Sequence, residues 1–99
     1  MSRTMLERRL ADLASRLRRL REDLAVADEQ LAHFAHEADE ARLRMLVSET
    51  PLAEREHRDA QKHADVVQRH REGLSAEIAR LESAQDELLD QLIEAGGAG

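Results

Sequence analysis

Apolar residues recur along the first half of the chain at alternating steps of four and three: Leu6, Leu10, Leu13, Leu17, Leu20, Leu24, Ala27, Leu31, Phe34, Ala38, Ala41 and Met45. That spacing is a heptad seam, the apolar stripe that a helix offers to a partner helix. With Leu10 at a and Leu6 at d, the frame runs without a stutter up to Ser48-Glu49-Thr50-Pro51, which holds the only proline of the chain. Thr50 before Pro51 has the chemistry of a helix start: a hydroxyl acceptor at the N-cap, then a residue with no amide hydrogen to satisfy. Beyond it the seam resumes as Ala53, His57, Ala60, Ala64, Val67, Arg71, Leu74, Ile78, Leu81, Gln85, Leu88 and Leu92. The pattern predicts an all-α fold, with helices over about 3–47 and about 51–94, a turn at about 48–50, and a flexible Gly/Ala tail over 95–99. The two long helices form an antiparallel coiled-coil hairpin, a single domain over about 1–94.

A fold-back centred on Glu49 matches the two seams layer by layer, each a position beside a d position. Leu6 falls opposite Leu92, Leu17 opposite Leu81, Leu31 opposite Val67, and no seam residue is left over. Polar Arg71 falls opposite small Ala27, so its stem can run outward, and Phe34 meets Ala64 as large against small. Charges at the flanking e and g positions agree with this register, placing Arg16 near Glu77, Arg21 near Glu82, Arg42 near Glu54 and Arg44 near Glu56. Residues 1–21 carry seven Arg against two acids and residues 77–94 six acids against one Arg, so the ends attract. The layers nearest the turn are built from Ala, His and Met and form the soft end, whereas the far end is rich in Leu. The same layers also close between chains if one continuous rod runs through Pro51 and dimerises. Ala14, Ala35, Ala84 and Leu89, with Ile93, widen the apolar stripe enough for two hairpins to pair into a four-helix bundle.

Composition narrows the functional classes. In 99 residues, 36% are charged, 41% hydrophobic and Phe34 is the single aromatic, the profile of long helices rather than of a globular core or a disordered chain. A net charge of −6 argues against direct nucleic-acid binding. The absence of cysteine removes disulfides, thiolate metal sites and cysteine nucleophiles. No apolar run approaches the roughly 20 residues of a membrane span, and Met1-Ser2-Arg3-Thr4 leads into a charged helix instead of a signal-peptide core. A cytoplasmic protein without membrane association is therefore expected. Fourteen of the fifteen basic residues are Arg, which fits a GC-rich bacterial genome.

Off-seam apolar residues concentrate at the turn. Leu43, Leu46 and Val47 hold outward f, b and c positions and Leu52 follows the loop, flanked by Arg42, Arg44, Glu49, Glu54 and Glu56. These nine residues are the expected partner-binding surface, an apolar contact patch at the hairpin tip. Packing around the loop and burial in a homodimer are the competing roles. His33, His36, His63 and His70 fall at outer c and f or at g positions that do not converge on a tetrahedral ion, so neither metal nor cofactor is expected. Charge pairing, such as His70 with Asp23 or His63 with Glu37, suits them better. His57 differs in standing on the seam opposite Ala41, where its protonation would loosen the tip. Thermal unfolding of His57→Leu and wild type at about pH 5.5 and about pH 7.5 tests this, and an identical pH dependence removes it. Two helices form no concave, desolvated pocket to tune a catalytic group, so the chain is expected not to be an enzyme.

The leading expectation is a coiled-coil protein-interaction module that engages a larger protein partner through its tip, with homo-oligomerisation as a structural scaffold as another. Glu49, Glu54 and Glu56 at the end of a long antiparallel coiled coil also resemble the N-terminal hairpin of Gre-type transcript-cleavage factors. That resemblance implies RNA polymerase as a partner, with tip acids entering its secondary channel toward a catalytic magnesium ion. Pro51 and the neighbouring leucines make this tip more apolar than that role requires, and the additional globular domain of those factors is absent from these residues.

Overall fold

A computed structural model describes residues 1–97 as two helices, α1 (Arg3–Ser48) and α2 (Pro51–Gly97), joined by Glu49 and Thr50 alone. Packed against each other, they form an all-α helical hairpin with no strand among the described residues. Both helices open on a hydroxyl cap. The Ser2 Oγ accepts from the Met5 amide at 3.2 Å and its carbonyl from the Leu6 amide at 3.0 Å. Thr50 repeats the arrangement, its Oγ1 accepting from Ala53 at 3.2 Å and its carbonyl from Glu54 at 3.1 Å, so amides left without intrahelical partners gain acceptors. Helix α1 ends where Glu49 turns left-handed, with φ 49°, while its amide still donates to the Met45 carbonyl at 3.0 Å. Helix α2 runs past Glu94, since extending an established helix costs far less than starting one. The tail expectation for Ala98 and Gly99 lies outside the described residues.

The chain divides into two compact units, a base unit (Met1–Asp23 with Leu74–Gly99) and a turn unit (Leu24–Gly73). All twenty-four seam positions read from the heptads are buried or half-buried; Ala14, Ala35, Gln68, Glu77 and Ala84 beside them are half-buried too. In the base unit Leu6 and Leu17 are the largest fully buried side chains, joined by Ile78 and Leu88. The buried residues of the turn unit are all alanines, Ala27, Ala38, Ala41, Ala53 and Ala64, which is why its core is thin.

Charge pairs accompany the seam register within each unit. In the base unit Arg16 meets Glu77 at 2.9 Å across the g positions and Arg21 meets Glu82 at 3.5 Å across the e positions. Arg80, on the same helix, also pairs with Glu77. In the turn unit Arg71 leaves the seam beside Ala27 and its guanidinium pairs with Asp28. The expected pairs of Arg42 with Glu54 and Arg44 with Glu56 do not form. An exposed pair is worth only about 0.2–1 kcal/mol, so local side-chain reach decides which of the available pairs form.

Candidate functional site at the turn

The two-residue connection sets what the turn end presents. Thr50 and Pro51 start α2 immediately, leaving no loop to fold back over the end of α1. Leu43, Leu46 and Val47 stand at i, i+3 and i+4 on the back of α1, the spacing that makes one helical stripe. They are 64%, 57% and 85% exposed, and Leu52 at the start of α2 is 61% exposed. Packing around the loop is thereby overturned. Arg42, Arg44, Glu49, Glu54 and Glu56 surround these side chains, all exposed, and none forms an ion pair or side-chain hydrogen bond among the described residues. The turn unit thus brings all nine sequence-selected residues to one end, as an apolar stripe with free charges of both signs around it.

The histidines take different partners from those expected. His33 pairs with Glu37 at 3.2 Å and His36 with Glu40 at 3.1 Å, each one turn along α1. His63 packs edge-on against Phe34, ring centroids 5.9 Å apart, and His33 does the same at 5.3 Å. Neither His63 with Glu37 nor His70 with Asp23 is formed. A partner four residues away on the same helix is already aligned, whereas one across the interface must be reached from a g position. His57 is half-buried on the seam.

Phe34, His63, Val66 and Val67 line a shallow groove of about 260 Å³. The heptad seam does not reveal it, because Val66 stands at an outer c position; the signal available was an apolar residue at c beside an aromatic d. A larger open groove of about 450 Å³ lies in the base unit, floored by Leu13, Ala84 and Leu88 between Arg9, Arg16 and Glu87. No polar or charged side chain is fully buried among the described residues, and none there forms a metal-ligating cluster of three. No helix there is long and apolar enough to cross a membrane. No protein-family model, curated protein or solved structure matches the chain.

Proposed function

We propose that the protein is a non-enzymatic interaction module whose turn end docks into a larger protein partner. The observation that carries this reading is the exposure of Leu43, Leu46, Val47 and Leu52, four large apolar side chains at one end with no task inside the molecule. Leaving each of them in water forgoes roughly 1.5–3 kcal/mol of burial. A tip of four such side chains offers on the order of a few hundred Å², below the roughly 800 Å² per partner of a standard flat interface. A concave acceptor encloses a projecting tip on several sides and so recovers more contact than a second tip does. Free charges of both signs around the stripe suit a polar rim that orients docking without adding much affinity. Glu49, Glu54 and Glu56 are interleaved with this apolar stripe, so a contact surface is favoured over acids offered to a metal ion.

The test is affinity capture from the native cell with wild type, Leu43→Glu and Leu46→Glu, each confirmed helical by circular dichroism. Both substitutions are expected to reduce recovery of the specific partner by about tenfold or more, as loss of a central apolar anchor does. Equal recovery with all three would remove the tip as the contact.

A further inference from the structure

We propose that the base unit is also a self-association surface: its e side is covered by the same side of a second copy of this chain, with α1 of each copy against α2 of the other. This surface is separate from the turn end and does not rest on the docking proposed there.

The e side is identified by the pair of Arg21 and Glu82, which closes the seam on that flank. Its apolar part is unequal in size on the two helices. Helix α1 contributes Ala11, exposed, and Ala14, half-buried, while α2 contributes Leu89, 41% exposed, and Ile93, 71% exposed. One helix therefore offers small side chains and the other two large, projecting ones.

Charge is divided the same way. Arg8 and Arg18 flank Ala11 on α1, and Asp86 and Asp90 flank Leu89 on α2. All four are exposed, and none has a partner within the molecule among the described residues. More widely, residues 1–21 hold seven Arg, and residues 77–94 hold six acids.

Two copies can stack on this side about a two-fold axis in either of two directions. An axis across the helices sets α1 on α1, which leaves alanine facing alanine and brings arginine-rich surfaces together. An axis along the helices sets α1 on α2 with each residue at its own height, so the partner's Leu89 packs over Ala11 and its Ile93 lies nearer the start of α1, while Arg8 and Arg18 face acids. Size and charge, two independent observations, select the second arrangement. Its symmetry makes every contact occur twice.

Sedimentation equilibrium of the full chain across a concentration series tests the proposal. Wild type is expected to rise from the one-chain to the two-chain mass. Leu89→Glu with Ile93→Glu is expected to weaken association by about tenfold or more, a factor equivalent to about 1.4 kcal/mol. Two charge-reversed proteins make the decisive comparison, Arg8→Glu with Arg18→Glu, and Asp86→Arg with Asp90→Arg. Each alone presents like charge to its own copy and is expected to stay at the one-chain mass, whereas an equimolar mixture regains the two-chain mass. Circular dichroism checks that every variant keeps its helices. Leu43→Glu leaves the mass of the dimer unchanged if the base unit is the contact. A wild type monomeric throughout, a mixture no heavier than its components, or a dimer lost with Leu43→Glu would each overturn the proposal.

Discussion

Glu49 holds the connection in a conformation that its own Cβ opposes. A left-handed φ of 49° costs an L-residue roughly 1–2 kcal/mol, and glycine at the same position escapes that cost while losing about 0.4–1 kcal/mol to its freer unfolded chain. The two ranges differ by about 0–1.6 kcal/mol, centred near 0.8, so Glu49→Gly should stabilise the fold by about 0.8 kcal/mol and raise the melting temperature by roughly 3–6 °C in a chain of this size. Thr50→Ala should act in the opposite sense by about 0.5–2 kcal/mol, because the Ala53 amide then loses its side-chain acceptor. Thermal melts of both variants beside wild type check the pair. A Glu49→Gly protein no more stable than wild type would show that the left-handed residue is not a cost to the fold.

Along the helices, position in the heptad separates two kinds of leucine. Leu17 is fully buried in the base unit and Leu46 is largely exposed on the back of α1. Leu17→Ala is expected to cost about 2–5 kcal/mol, as buried leucine truncations do, and Leu46→Ala to stay within about 0.5 kcal/mol. Urea titrations read both, and a comparable loss from Leu46→Ala would mean that the turn end is packed after all. The buried stripe was legible in the sequence because a seam repeats: each leucine is supported by those one and two turns away, and the whole set fixes register. Arg16 with Glu77 and Arg21 with Glu82 followed from that register. The choices of Arg42, Arg44 and the histidines did not follow. Exposed pairs differ from their alternatives by less than about 1 kcal/mol, so local reach decides them. The left-handed Glu49 and the cap at Ser2 also lie outside the periodic signal, which describes helix faces and not helix ends. The nine turn-end residues were legible as off-seam residues, but their chemistry as a surface depended on a connection too short to cover them.

For the whole molecule, the brevity of that connection bears on how the chain finds its fold. Closing the leucine-rich base first would gather a loop of more than half the chain, at an entropic cost that grows with loop length. Building outward from Glu49 and Thr50 adds one seam layer at a time, yet the first layers met are Met45 with Ala53, Ala41 with His57 and Ala38 with Ala60, which return little apolar burial. Free energy should therefore climb until Phe34 is engaged and fall as the leucines close. Stopped-flow kinetics should then find that Phe34→Ala mainly slows folding and Leu6→Ala mainly speeds unfolding, and the reverse assignment would place the nucleus at the base. A turn of two residues thus makes the chain a zipper with weak first teeth, so that the rate of folding is set by the turn unit and the lifetime of the folded state by the base.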